Sequence, residues 1–376
     1  AITFKGKSED SKYLTSKSAF KHKHEVADVG NYLFDQRELT DDDADFRYIS
    51  SFDVSRVTRI NTTDFIVPLK GNRVSYGFRF YGGNKQAQLQ DGSRNKTFEE
   101  ITRQTPENKE SDTYFAVLRM DVDGLGDVFI NGLKEKDKSF SAYATLSFLL
   151  DLFFSGYLNH IRNDFQDESG NLKYKDWVNI LYSGGDDVFA VGRWDKIIDF
   201  AEDIRKEFAR FTGREDISIS AGITITGNKY PIAKAANMAG EAEDNAKKNE
   251  VNGSKNAICM FGEVVSWSQE FDYVKELKDE FLSLIANQKM AKGILHKLMQ
   301  FSALKKDNKD LSYKWHSVYY LKRFKDRYHE NPSIRKFVDK LQKELFEPRK
   351  YDLIGLSARW AELYVREILN VEPETK

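Results

Sequence analysis

Two short acidic turns hold the residues of this sequence best suited to chemistry. The first, Asp121-Val122-Asp123-Gly124, closes the apolar run that begins at Thr113. The second, Ser183-Gly184-Gly185-Asp186-Asp187, lies between two further apolar runs, VNILY before it and VFAVG after it. A Gly-Gly pair between strand-like runs signals a hairpin, because such turns need positive φ, which glycine adopts at least cost. If the strand ending in Asp121 lies beside that hairpin, at least three carboxylates converge at one end of a sheet. Two of them about 4 Å apart repel by roughly 4 kcal/mol at an effective dielectric of about 20. A shared proton or bound cations must offset that. Hard divalent cations with oxygen ligands, Mg²⁺ or Mn²⁺, suit such acids. Completed by substrate phosphates, they form the two-metal arrangement of phosphoryl or nucleotidyl transfer. Each turn alone is also an ordinary solvated turn; the pair, flanked by apolar runs, points to a metal site.

The elements around these turns follow from periodicity. Ser139 to Phe165 carries apolar residues on a broad helical face and predicts a mostly buried helix between the two turns. Trp194 to Phe211 is amphipathic, with Ile197, Ile198, Phe200, Ala201, Ile204, Phe208 and Phe211 as its inner stripe. Ile217 to Ile225 largely alternates, as a half-buried strand does. A helix from about Pro231 to Lys248 and a strand from Ala257 to Phe261 close the unit. Strand, helix, strand, strand, helix, strand is a ferredoxin-like order, and the fold class is α+β.

At these residues the chain resembles a family. DVDGLG at Asp121 to Gly126, YSGGDDVFAVGRW at Tyr182 to Trp194, ISISAGITI at Ile217 to Ile225, KYPIAKAANMAGEAEDNAKK at Lys229 to Lys248 and SKNAICMFG at Ser254 to Gly262 are similar to the palm shared by GGDEF-type cyclases and the large subunit of type III CRISPR effector complexes. The nearer resemblance is to the Csm-type subunit, the cyclic oligoadenylate synthetase of type III-A systems. That resemblance implies conversion of ATP to cyclic oligoadenylates under target-RNA control, beside guide RNA and other complex subunits, in the cytoplasm. It implies Asp121, Asp187 and the Val122 carbonyl as metal ligands, helped by Asp186, with Asp123 either a further acid or a cap of its turn. Ser183, Gly184 and Gly185 would face the nucleotide. Lys247 and Lys255 would hold its triphosphate, or are ordinary solvated lysines. A diguanylate cyclase is the second enzyme reading, disfavoured by Asp186-Asp187 where Asp-Glu is expected. A non-catalytic scaffold is the third. The family's amino-terminal His-Asp nuclease motif and the cysteine ligands of its zinc site are absent from the sequence, so the chain resembles the C-terminal half of such a subunit.

The remainder sets bounds. A length of 376 residues allows two or three domains, and a net charge of −1 leaves any nucleic-acid contact to local patches. The single cysteine, Cys259, excludes an internal disulfide and reads as a core thiol. No apolar stretch reaches membrane-spanning length. His22 and His24 in a lysine-rich segment are a weak metal motif. Residues 1–110 read as a linker domain with short strands, including two paired across Lys70-Gly71-Asn72; 111–263 read as the palm and 264–376 as a helical domain. In that last region basic residues between Lys305 and Lys350 interleave with Trp315, Tyr319, Tyr320, Phe324 and Tyr328. Such a mixture either grips a phosphate backbone or is a solvated face over a buried aromatic core.

Overall fold

The computed structural model describes residues 80–369 apart from 84, 90, 104–113, 133–137, 215, 249–254 and 308–311, and also the backbone of the first five strands. Two compact units emerge. One comprises Ala1–Lys85, Ser139–His160 and Ser183–Gly185; the other comprises Gln86–Lys138, Ile161–Tyr182 and Asp186–Lys376.

In the first unit, β1 (Ile2–Lys5), β2 (Lys23–Val26), β3 (Tyr32–Gln36), β4 (Ser55–Ile60) and β5 (Val74–Arg79) form a sheet in the order β2-β3-β1-β4-β5. β4 and β5 pair in parallel, Ser55 opposite Val74 through Ile60 opposite Arg79. This corrects the hairpin expected across Lys70-Gly71-Asn72. A parallel pair needs a crossover rather than a tight turn, and the local turn signal carries no information about strand direction. His22 lies outside the described residues, and His24 is described by its backbone alone.

The segment expected as one buried helix begins as α1 (Phe140–Asp151), capped by Ser139, and continues through a π-helical stretch (Leu152–Tyr157) into Leu158–Asp164. Its opening turns are not buried: Phe140 is 90% exposed, and Phe148 and Leu149 are exposed too. Burial starts at Leu150 and includes Phe153 and Phe154. The helical period of the sequence is right, but apolar character alone does not reveal which turns a neighbour covers.

The second sheet contains β6 (Tyr114–Val122), β7 (Val178–Gly184), β8 (Asp187–Arg193), β9 (Ile219–Gly227), β10 (Ala257–Met260) and β11 (Glu263–Ser266), ordered β11-β10-β9-β6-β8-β7. Taking β6 to β9 as first to fourth strand, the run β9-β6-β8-β7 is the 4-1-3-2 order of a ferredoxin-like sheet. β10 adds in parallel beyond β9, and β11 turns back antiparallel to it. α2 (Trp194–Thr212) buries Ile197, Ile198, Phe200, Ala201, Ile204 and Phe208, whereas Phe211 in its last turn stays exposed. α3 (Ile232–Lys248) connects β9 to β10. Cys259 is buried and free, its thiol pushed up to about 11 by burial.

Beyond β11, α4 (Asp272–Gln288), α5 (Gly293–Asp307), α6 (Ser312–Arg327), α7 (Pro332–Glu344) and α8 (Pro348–Tyr364) enclose a core of their own that includes Phe281, Leu295, Leu321, Phe324, Phe337 and Ile354. The bundle is tied to the sheet. The Trp267 indole N–H donates to the Ile219 carbonyl at 3.1 Å, and Arg349 bonds both Glu270 and the Val264 carbonyl. Among the described residues no helix is long and apolar enough to cross a membrane.

Candidate active site

Successive side chains of a strand alternate between faces, so Phe115, Val117, Arg119 and Asp121 of β6 share one face. On α3, Ala235, Ala239, Glu243 and Lys247 form a row at four-residue spacing. The two rows meet. At one end Ala235 and Ala239 pack with Phe115, Val117 and Val191. At the other, Lys247 Nζ donates to Asp121 Oδ2 and lies 3.0 Å from Glu243 Oε1. Arg119 bridges the remaining acids, 3.6 Å from Glu243 and 3.9 Å from Asp187. Asp187 is the direct cross-strand partner of Asp121 in the antiparallel β6–β8 pair. Directly opposed residues have Cβ atoms about 5 Å apart, so both carboxylates arise at one spot at the end of the sheet.

A close approach of helix to sheet makes this possible. A β-carbon on Gly222 would fall 2.2 Å from the Glu243 amide nitrogen and 2.3 Å from the Ala239 carbonyl oxygen. Gly222 is the β9 partner of Arg119, so the bare backbone sits where α3 must come down. The turn before Asp187 has its own requirement: Gly185 takes φ +70° and is followed by Asp186, a Gly-X sequence that suits a two-residue hairpin turn.

Burial pushes Glu243 up to about 7, with Asp187, Asp244 and Asp123 adding to it and Arg119 opposing. The Lys247 ammonium is pushed down to about 8 by burial, with Lys255 and Arg119 adding repulsion. Asp187 is raised by burial and by Asp186, against the pull of Arg119.

Among the described residues no three His, Cys, Asp or Glu side chains converge tightly enough to hold a metal by themselves. Two opposed carboxylates are nevertheless the hard-oxygen set that Mg²⁺ uses when substrate phosphates supply the rest of its shell. Asp121 and Asp187 fit that role, provided Lys247 and Arg119 yield their carboxylate oxygens.

The other residues singled out in the sequence take varied places. Asp186 is half-buried in the hairpin turn beside Asp187. Val122 ends β6 opposite Ile219, its side chain buried. Asp123 is 7% exposed; its Oδ2 accepts the Ser218 hydroxyl at 2.7 Å and the Asn256 amide at 3.0 Å. It ties the Ser218 and Asn256 segments to the end of β6, partners that lie outside its own turn. Ser183 is buried, and its hydroxyl donates to the Phe154 carbonyl at 2.7 Å. Gly184 ends β7 next to it. Lys255 is exposed, and its charge is felt at Lys247. Two participants escaped sequence reasoning, Arg119 and Glu243. Both were reachable by period: Arg119 is one same-face step back from Asp121, and Glu243 one helical turn before Lys247.

Comparison with known proteins places these elements. Residues 114–259 match the family described as "Cas10/Cmr2, second palm domain". A relative in Methanocaldococcus jannaschii, the "CRISPR system single-strand-specific deoxyribonuclease Cas10/Csm1 (subtype III-A)", is 37% identical over 168 residues, 42% of this chain and 21% of that protein. The crystal structure of Csm1 in T. onnurineus superposes with a TM-score of 0.62 at 20% identity, covering 89% of this chain and 47% of that one. A Csm1–Csm4 cassette in complex with cA4 gives a TM-score of 0.59 at 21% identity over 83% of this chain and 44% of that one. The solved likenesses share the fold, and this chain spans about half of those chains and about a fifth of the curated relative.

Proposed function

We propose, from the premise that this chain is of the Cas10/Csm1 family through its second palm, that it is the nucleotidyltransferase part of a type III CRISPR effector, converting ATP to cyclic oligoadenylates when target RNA is recognised. One observation carries the reading: Asp121 and Asp187 are direct cross-strand partners at the end of a palm sheet, with Lys247 against them. The solved relatives that hold cA4 or one ATP support the choice of nucleotide. The proposed division is a linker domain over 1–110, the palm over 111–263 and a helical domain over 264–376. Proposed partners are other complex subunits, guide RNA and target RNA, in the cytoplasm.

In this reading Asp121 and Asp187, aided by Asp186 and the Val122 carbonyl, would hold Mg²⁺ or Mn²⁺, which when bound would supply charge against the triphosphate and a lowered pKa at the attacking 3′-hydroxyl. The 3′-oxygen forms a bond to the α-phosphorus, and pyrophosphate leaves. Gly184 and Gly185 let the backbone approach the nucleotide beside Ser183. Lys247 and Lys255 receive the triphosphate tail, a charge-assisted contact. Arg119 orients Asp187. Glu243 is a positioning residue, holding Arg119 and Lys247 between the acids.

A second reading has its own support. Each acid already has a basic partner, Lys247 for Asp121 and Arg119 for Asp187, so the cluster is self-neutralised in the way a scaffold requires. Calorimetric titration with ATP decides between them. The enzyme reading expects binding that needs Mg²⁺ or Mn²⁺, prefers ATP over GTP and disappears in the Asp186→Ala, Asp187→Ala double variant. Metal-independent binding, no binding at all, or full oligoadenylate synthesis by the double variant defeats it.

A further inference from the structure

The helical domain carries a second charged surface, unlike the palm in every respect that matters for a ligand. α6 holds five lysines and arginines against one aspartate in a chain whose net charge is −1. The structure sorts its aromatics into two sets. Phe324 is buried in the bundle core, and Tyr320 and Tyr328 pack against that core. Trp315 and Tyr319, one turn apart, are 76% and 63% exposed. At 100° per residue, Trp315, Tyr319, Lys322, Arg323 and Arg327 fall on one outward face, with Asp326 the single acid among them. The Arg323 guanidinium lies 5.7 Å over the Tyr319 ring. Tyr319, Tyr320, Arg323, Asp326 and Arg327 line a shallow groove, and Lys322, Lys325, Asp326, His329 and Arg335 line the next one.

Balancing the helix dipole accounts for cations in the last turn, but it does not account for a tryptophan and a tyrosine left in water beside them. Protein-binding surfaces use Trp, Tyr and Arg too, yet their cores are depleted of lysine. Flat rings open on one side, interleaved with cations at a turn's spacing, match a strand whose bases stack while its phosphates pair. We propose that the outer face of α6 is a binding site for single-stranded RNA. From Trp315 to Arg327 the face runs about 18 Å at about 1.5 Å per residue. Trp315 and Tyr319 stack on bases, and Lys322, Arg323 and Arg327 take phosphates. No residue of the palm takes part, so this site stands or falls separately from the nucleotide chemistry.

The test is fluorescence anisotropy of the full chain with a labelled unstructured 15-nucleotide RNA at several salt concentrations. Trp315→Ala with Tyr319→Ala is expected to weaken binding about thirtyfold, since each stacked base is worth a factor of roughly five or more. Arg323→Gln with Arg327→Gln is expected to weaken it and to flatten the slope of log affinity against log salt by about 1.4, twice 0.7. All these side chains point outward, so thermal melting and metal-dependent ATP binding remain as in the parent. Three results overturn the site: no RNA binding by the parent chain, unchanged affinity in both variants, or loss in the arginine variant alone with polyglutamate displacing RNA equally well. The last would mark the face as a dock for an acidic protein.

Discussion

The same helix crosses the same strand twice over, with opposite chemistry. Where Ala235 and Ala239 of α3 lie on Phe115 and Val117, the contact is core, dry and small. Two turns further, Glu243 and Lys247 lie on Arg119 and Asp121, and the contact is a ladder of alternating charge. The backbone geometry is shared, so the difference lies in side chains alone. A half-buried ladder is a poor way to gain stability, since desolvation consumes most of the Coulomb attraction and apolar replacements often do as well. Its presence at the open end of the sheet is what singles out that end as the candidate site.

Substitutions at the two ends test the contrast. The largest effect belongs to the acids: Asp121→Ala is expected to lower oligoadenylate formation by about 10³-fold in the assembled complex, measured by product chromatography, while leaving the fold intact. Equal turnover would remove Asp121 from the chemistry. Next comes the hinge of both ends, Gly222. Its replacement by alanine forces α3 off the sheet, and a loss of about 3 kcal/mol in urea unfolding is expected, as for overpacking against backbone. A neutral result would mean that α3 does not sit as described.

The charged end also has a pH signature that the apolar end lacks. Folded Glu243 titrates near 7 rather than at its ordinary 4.5, so between those values the folded state holds the proton and the unfolded chain releases it. Stability therefore falls as pH rises through that window, by up to about 3 kcal/mol for a shift of this size. Glu243→Gln is expected to flatten that part of the stability profile, whereas Ala239→Gly, at the apolar end, is expected to lower the whole profile without changing its slope. The smallest effect is at Lys247: its exchange for methionine is expected to raise the KM for ATP several-fold with little change in melting temperature. An unchanged KM would make Lys247 a counter-ion only.

Much of this arrangement is legible without coordinates. The elements α2, β9, α3 and β10 appear close to where periodicity places them, and helices follow them as expected, but β11 lies where the sequence reads as the start of the helical region. Both acidic turns read as strand ends because apolar runs stop at them. Arg119 and Glu243 were not picked out, since an isolated charge in a strand or helix looks like a solvated one until its facing element is known. The direction of the β4–β5 pair and the exposure of Phe140, Phe148 and Leu149 were likewise beyond local signals.

What the amino-acid order determined by itself is the kind of elements and the kind of chemistry, because turn residues, hydrophobic period and carboxylate content are properties of neighbours along the chain. Only the tertiary structure decided that Asp121 and Asp187 are cross-strand partners, that α3 descends on Gly222, and that Trp315 and Tyr319 face water while Phe324 does not. Those are relations between residues far apart in sequence, fixed by register and by which surfaces packing covers.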